Sequence, residues 1–252
     1  MSADRRQIVI WSIVAVVLMG AFVIGPIAQD PAYHRFADSR GMFSIPNFWN
    51  VITNVPFLVV GMGGLHLLIR GRAAGGLPEL GTVYCAFFVG VLATGLGSAY
   101  YHFNPTNDTL VWDRIPITVA FVAFFCVILG EHISTKLGRT AFWPLTTLGI
   151  ASVFYWYVSE QRGSGDLRFY AAMQIVPMLL IPVILYSYPS RLVPVAYLWA
   201  VVGAYVAAKI AESLDSPLYA ALHVLSGHSI KHLAAAFGTY LFYRALRERT
   251  MT

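Results

Sequence analysis

Eight long apolar runs constrain this chain more than any other feature. Each is close to the length of about 20 predominantly apolar residues that a helix needs to cross a bilayer. The runs lie at about 7–28, 47–69, 79–103, 110–130, 139–159, 167–187, 191–213 and 222–246. Inside lipid a chain must satisfy its own backbone hydrogen bonds, which a helix does within one segment. We therefore predict an all-α fold, a polytopic membrane helix bundle.

The composition supports this interpretation. The chain is 58% hydrophobic and 12% charged, whereas soluble domains carry about 25% charged residues. The net charge is +5, but the cations lie in short clusters between apolar runs, as in loops that flank a membrane. We therefore expect membrane lipids around the protein and no nucleic-acid partner. The sequence carries no indication of the oligomeric state.

Cys85 and Cys126 both lie inside apolar runs, without the CxxC spacing of a redox or zinc site. We interpret them as small buried hydrophobic residues, with a disulfide as the alternative. The first run has a second interpretation too, as a signal peptide that follows Arg5 and Arg6. It exceeds the usual 7–15 residues of a signal core and lacks a clear cleavage site, so we predict a retained helix.

The distribution of basic residues predicts the orientation. With the N-terminus in the cytoplasm, ten Lys and Arg residues fall on the cytoplasmic side and four on the other. An even number of spans returns the C-terminus to the cytoplasm. The predicted segments are an N-terminal membrane helix (1–29), a non-cytoplasmic loop (30–46), a seven-helix membrane domain (47–246) and a cytoplasmic tail (247–252).

Ionisable residues inside the spans are candidates for function, because they are costly in lipid and usually face a bundle interior. Three stretches concentrate them: Gly95-Leu-Gly-Ser98-Ala-Tyr-Tyr-His102, Val111-Trp-Asp113-Arg114 and His223-Val-Leu-Ser-Gly-His228-Ser-Ile-Lys231-His232. They end the third span and begin the fourth and the eighth. The predicted topology places all three in the non-cytoplasmic half of the membrane, so we expect them to converge in one layer.

Helical spacing turns these stretches into a candidate metal site. His228 and His232 are four residues apart and share a helix face, as do Ser98 and His102. Imidazole is a common zinc ligand, and three protein ligands leave a fourth position open. We predict His102, His228 and His232 as metal ligands, with Asp113 or Ser98 available for orientation or proton transfer. The alternative is that the histidines only stabilise helix packing through hydrogen bonds.

Other polar residues receive different predictions. His223 lies about 140° around the helix from His228, so we place it outside the ligand set. His34 falls in a loop and is expected to be solvated. Arg114 is interpreted as a snorkelling anchor or a lipid-headgroup contact. Lys231 is expected to snorkel or to pair with an acidic residue, with Glu212 and Asp215 as the candidates.

As a set, these motifs resemble the CREST superfamily, which includes the alkaline ceramidases, the progestin and adiponectin receptors and the hemolysin III-like proteins. The strongest resemblance is to alkaline ceramidases, and it covers about residues 47–246. The motifs that carry it are Gly95-Leu-Gly-Ser98-Ala-Tyr-Tyr-His102, Asp113-Arg-Ile-Pro116, Asn47-Phe-Trp-Asn50-Val-Ile-Thr-Asn54 and the last-helix run from His228-Ser-Ile-Lys-His232 to Gly238-Thr-Tyr-Leu241.

The resemblance implies a seven-helix core with one added N-terminal helix. It also implies that His102, His228 and His232 bind Zn²⁺, with Ser98 and Asp113 as catalytic residues beside the metal. The implied activity is cleavage of the amide bond of a ceramide-like lipid substrate. A lipid receptor or a hemolysin III-like protein with structural zinc is the alternative, because a similar metal set is expected there.

One departure from the ceramidase pattern concerns calcium. The resemblance would imply an acidic, calcium-binding cluster before the first core helix. This chain instead has Asp38-Ser-Arg-Gly-Met, and Asn47 stands in place of a glutamate. Asp38 and Asn47, with backbone carbonyls, are the candidate oxygen ligands that remain. The departure weighs against Ca²⁺ as a cofactor.

Overall fold

The apolar runs fold into long helices that lie close to the predicted positions. A computed structural model describes residues 2–251; Met1 and Thr252, at the ends of the predicted first and last segments, lie outside the described residues. The α-helices are α1 Ala3–Val23, α2 Phe48–Ile52, α3 Val55–Ile69, α4 Gly81–Phe103, α5 Asn107–His132, α6 Thr135–Gln161, α7 Arg168–Ser187, α8 Ala196–Ser213, α9 Asp215–Leu222 and α10 Gly227–Glu248. The predicted all-α membrane bundle is confirmed.

Several of these helices are suited to a membrane. Within residues 2–251, five segments are long and apolar enough to cross a bilayer: α1, α2 with α3, α4 with the turn before it, α5 and α7. The pair α8 and α9 is bent by 81° and makes a sixth if it counts as one span. The helices α6 and α10 have 27 and 22 residues but are more polar. The chain is a multi-pass membrane protein.

Helix α5 lies at the centre of the bundle and α1 at its edge. Of the most apolar stretch of each helix, 72% is buried in α5 and 6% in α1. An aromatic cluster joins α4, α5 and α10: the ring of Phe242 lies 4.8 Å from Phe87 and 5.2 Å from Phe124, between centroids. Such ring pairs add to the stability gained from area burial. The cluster holds together the helices that carry the candidate site.

Local sequence signals set where two of these helices begin. Thr106 caps α5 by accepting from the backbone N–H of Thr109 at 3.2 Å. Ser226 caps α10, accepting from the backbone N–H of Ser229 at 3.3 Å. Such caps satisfy N–H groups that have no partner inside the helix. They place Asp113 and His228 within the first two turns of their helices.

The prediction of one continuous span over 222–246 is wrong at its start. Helix α10 begins at Gly227, and the short helix α9 ends just before it. His223 stands between the two helices in the left-handed conformation, with φ 59°. The apolar sequence continues across this turn, so hydropathy could not reveal it. The span predicted over 191–213 also begins later, at Ala196.

The end of the chain is packed against the bundle, although 247–252 was predicted as a tail. Two-residue strands, β1 Leu192–Val193 and β2 Thr250–Met251, pair antiparallel. The fully buried guanidinium of Arg249 donates to both carboxylate oxygens of Glu131, at 2.7 and 2.8 Å. The hydroxyl of Tyr84 donates to the same carboxylate at 2.8 Å. A buried ion pair therefore ties the end of α10 to α5.

Both cysteines are free thiols, which excludes the disulfide alternative. Cys126 is fully buried in α5, as predicted. Cys85 is exposed on α4, so its prediction as a buried residue is wrong. A lipid-facing helix surface is apolar as well, and hydropathy alone therefore does not separate it from the core.

Candidate metal centre

Three histidines from two helices meet inside the bundle. His102 lies in the last turn of α4, while His228 and His232 lie one turn apart at the start of α10. The Nε2 atom of His102 is 3.2 Å from Nε2 of His232 and 3.3 Å from Nε2 of His228. All three side chains are buried. The predicted convergence of the third and eighth spans is therefore present.

These distances fit a metal ion. Nitrogen ligands at about 2.0–2.1 Å from a tetrahedral zinc lie about 3.3 Å from one another. The two measured separations agree with that value, and the ligand atoms of His102, His228 and His232 all lie within 4.8 Å of one another. Zinc ligands of this type are neutral imidazoles that bind through a ring nitrogen. The cluster can hold a metal ion.

A neighbouring hydroxyl orients one of the rings. The Oγ1 atom of Thr53 lies 3.0 Å from Nδ1 of His232 and donates its own proton to the carbonyl of Trp49 at 2.6 Å. Because Thr53 has one hydroxyl proton, it accepts from the Nδ1–H of His232. The Nε2 lone pair of His232 then faces the other histidines, as metal ligation requires.

Two asparagines of the Asn47–Asn54 motif hold the surrounding backbone. Asn47 donates its side-chain amide to the carbonyl of His102 at 2.9 Å. Asn50 accepts from the hydroxyl of Ser229 at 2.8 Å and donates to the carbonyl of Asp38 at 3.0 Å. This motif thus joins the start of α2 to both ligand-bearing helices.

Ser98 and Asp113 face each other across a close contact of α4 and α5. Both side chains are buried and interact with each other. The Oδ1 atom of Asp113 has no hydrogen-bond partner within residues 2–251. The helices can approach here because Gly97 has no side chain: a Cβ atom at this position would overlap the carbonyl of Trp112. A carboxylate oxygen is therefore available beside a hydroxyl.

The two cations near the site differ from each other. Lys231 donates to Glu212 at 2.9 Å, which confirms one of the two predicted partners. Arg114, by contrast, is buried, so its prediction as a snorkelling anchor or headgroup contact is wrong.

Aromatic rings and one amide explain the burial of Arg114. Its guanidinium carbon lies 3.9 Å from the ring centroid of Trp156 and 4.7 Å from that of Tyr170. Its Nη2 donates to the side-chain oxygen of Gln29 at 2.5 Å. Cation–π contacts are stronger away from water, so they offset part of the cost of burying this charge.

The loop before α2 is more ordered than predicted. The two ring nitrogens of His34 lie 3.0 Å from the hydroxyl of Tyr101 and 3.0 Å from the side-chain oxygen of Asn107, so the prediction of a solvated His34 is wrong. The ring of Phe36 lies against two histidines of the cluster, at 4.6 Å from His102 and 4.8 Å from His228. The contact of Phe36 could not be predicted from the sequence, because a single aromatic residue in a loop carries no signal.

Asp38, one of the candidate calcium ligands, is paired with a neighbouring cation. Both carboxylate oxygens of Asp38 accept from the guanidinium of Arg40 at 2.8 Å. Burial raises the pKa of Asp38, but the hydrogen bonds and charge of Arg40 outweigh it, so this pKa lies below its ordinary value. A calcium ion at Asp38 would have to displace Arg40.

Together, the fold and the histidine cluster define a class, multi-pass membrane proteins with a metal-binding capacity inside the helix bundle. The ceramidase family model matches residues 42–248. The chain therefore belongs to the ceramidase family, as its motifs predicted. This membership supports hydrolysis of the amide bond in a ceramide-like lipid. A comparison with curated proteins found no match.

Proposed function

We propose that the protein is a zinc-dependent membrane hydrolase that cleaves ceramide-like sphingolipids to a fatty acid and a long-chain base. One observation carries this proposal. In a chain of the ceramidase family, His102, His228 and His232 meet at the spacing expected of zinc ligands. The apolar helices around the cluster suit a substrate whose two chains lie in the membrane.

The three histidines would hold the metal through Nε2. When bound, zinc supplies a Lewis acid that lowers the pKa of a coordinated water towards about 7 and polarises a carbonyl. Thr53 would keep His232 in the tautomer that binds. Asn47 would fix the backbone of His102.

Asp113 would transfer the proton. It accepts a proton from the attacking water as the oxygen–carbon bond forms and returns it to the amide nitrogen as the carbon–nitrogen bond breaks. The unpartnered Oδ1 atom supports this role. Ser98 would donate a hydrogen bond to the developing oxyanion, a contact worth about 2.7–4 kcal/mol.

We infer that both termini lie in the cytoplasm and that the site lies in the non-cytoplasmic half of the membrane. The excess of basic residues on one predicted side supports this orientation. The end of α4 and the starts of α5 and α10 all carry residues of the site, which agrees with one layer. Protease accessibility of N- and C-terminal tags in sealed vesicles tests the orientation.

The experiment that tests the function combines metal content with lipid turnover. The purified protein should retain about one zinc per chain and release fatty acid from a ceramide panel, measured by mass spectrometry. Replacing Asp113 by Asn should retain the zinc and lower turnover by about 10²–10⁴-fold. His228→Asn should lose zinc, whereas His223→Asn, at an exposed position with left-handed backbone, should retain it.

Two results would contradict the proposal. A zinc-loaded protein that cleaves no amide lipid would favour the receptor-like alternative. Full turnover in Asp113→Asn would show that this carboxylate transfers no proton. Asp108→Asn serves as the matched control, because Asp108 lies on the same helix but at an exposed position.

A further inference from the structure

Residues 24–41 connect α1 to the part of the chain that matches the ceramidase family, which begins at residue 42. We call them the covering segment. They were predicted in part as a non-cytoplasmic loop, with Asp38 as a candidate oxygen ligand. Several residues of the covering segment contact the candidate site or the residues beside it.

The covering segment is fixed on both sides of Phe36. On the N-terminal side, the backbone N–H of Gln29 donates to Glu160 at 2.5 Å, and the side chain of Gln29 accepts from Arg114. On the C-terminal side, the backbone N–H of Ala37 donates to the carboxylate of Asp215 at 2.9 Å. These bonds leave Phe36 little freedom to move away.

Phe36 lies directly on the histidine cluster. Its ring is inclined by 60° to the ring of His102 and by 56° to that of His228, at the centroid distances given above. It also contacts Tyr101 edge-on at 6.0 Å. The ring is half-buried, so one part covers the histidines and the other faces outward.

An apolar ring in this position has a chemical consequence. The apolar shell around a metal controls the access of solvent and the exchange of ligands. Phe36 cannot ligate a metal or carry a proton, but it restricts the orientations of two candidate ligand rings. A smaller side chain would open a path for water and chelators to His102 and His228.

We propose that Phe36 is a positioning residue that shields the metal centre and slows the exchange of its metal. The covering segment would therefore complete the site, although it lies outside the family-matched region. The inference rests on the proposed metal site. It predicts that the metal is held kinetically by a residue that does not ligate it.

The test compares three variants of the full-length protein: Phe36→Ala, Phe36→Leu and the control Phe43→Ala. Phe43 lies in the same loop region and is 83% exposed. The measured quantity is the rate at which the zinc-loaded protein loses zinc to an excess of a soluble chelator. Phe36→Ala should release zinc about tenfold faster or more, the range expected of residues around a metal. Phe36→Leu should release zinc at a rate between those of Phe36→Ala and the unmodified protein. Phe43→Ala should release it at the rate of the unmodified protein.

Thermal unfolding of the metal-free forms separates shielding from a general loss of stability. The metal-free Phe36→Leu variant should unfold near the temperature of the unmodified protein and still release zinc faster. Unchanged release in both Phe36 variants would overturn the inference. If Phe36→Ala does not fold, the Phe36→Leu result decides alone. An unmodified protein that binds no zinc would overturn the proposed function as well, and this is seen before any chelator is added.

Discussion

The carboxylate of Asp215 accepts a hydrogen bond from the backbone N–H of His228 at 2.7 Å. The other oxygen of this carboxylate accepts a hydrogen bond from the backbone N–H of Ala37. One side chain at the start of α9 therefore holds both the first turn of α10 and the covering segment. A negative charge at a helix N-terminus also interacts favourably with the helix dipole. Asp215 thus fixes two parts of the candidate site in one place.

Replacing Asp215 by Asn should destabilise the protein. One of the two N–H groups would then face an amide donor instead of a carboxylate oxygen. We expect the free energy of unfolding to fall by about 1–3 kcal/mol, measured by denaturation in detergent. Asp108→Asn also removes a charge from the first turn of a helix, but at an exposed position. Equal losses in the two variants would contradict this role for Asp215.

Breaking the buried ion pair at the other end of α10 should lower the free energy of unfolding more than replacing Asp215 does. Arg249→Met would leave the Glu131 carboxylate buried without its cation, which costs about 3–5 kcal/mol. The double variant Arg249→Met/Glu131→Gln should recover much of that loss, because no buried charge remains. The matched control Arg244→Met removes a more exposed pair with Glu248 and should cost less than about 1 kcal/mol. A double variant as unstable as the single one would argue against the pairing.

Gln29 should contribute to stability through Arg114. Gln29→Ala removes the oxygen that accepts from the buried guanidinium. An unsatisfied buried donor costs about 1–3 kcal/mol, and more when it is charged. Gln161→Ala, at an exposed position, should change the free energy of unfolding little. If thermal unfolding does not distinguish the two variants, water has replaced Gln29 as the partner of Arg114.

An ion pair in the loop between α6 and α7 should make the stability of the protein depend on pH in the acidic range. The buried Asp166 accepts from Arg168 at 2.8 Å through each of its oxygens, and this lowers the pKa of Asp166 to about 2. The pKa in the folded state lies below the value of about 3.9 in an unfolded chain. The contribution of ionised Asp166 to the free energy of unfolding is therefore complete above about pH 4, and it is lost as the pH falls towards 2. The melting temperatures of the unmodified protein and Asp166→Asn should converge over that range. A constant difference between them would contradict this assignment.

Much of the candidate site could be predicted because its candidate ligands obey helical spacing. His228 and His232 are four residues apart, and His102 was placed in the same layer by counting spans. The family match supports the motif around Asp113. The metal, the catalytic roles and the orientation in the membrane stay predictions, because they depend on an ion and a bilayer outside the polypeptide.

The errors have a common physical origin in contacts between distant segments. Arg114 was placed at the surface because its sequence position cannot reveal that Trp156 and Gln29 surround it. Residues 247–252 were predicted as a tail because the local sequence does not indicate that Arg249 pairs with Glu131. His34 and Phe36 lie in a loop, where no periodicity indicates which way a side chain points.

The order in which the chain is made gives the histidine cluster one more property. His102 lies in α4, whereas His228 and His232 lie in α10 and are synthesised 126 and 130 residues later. Arg249, which ties that helix to α5, follows His232 by 17 residues and His228 by 21. A chain synthesised only as far as α9 therefore contains one of the three histidines and lacks the ion pair. The metal site that we propose can therefore form only after α10 has joined the bundle.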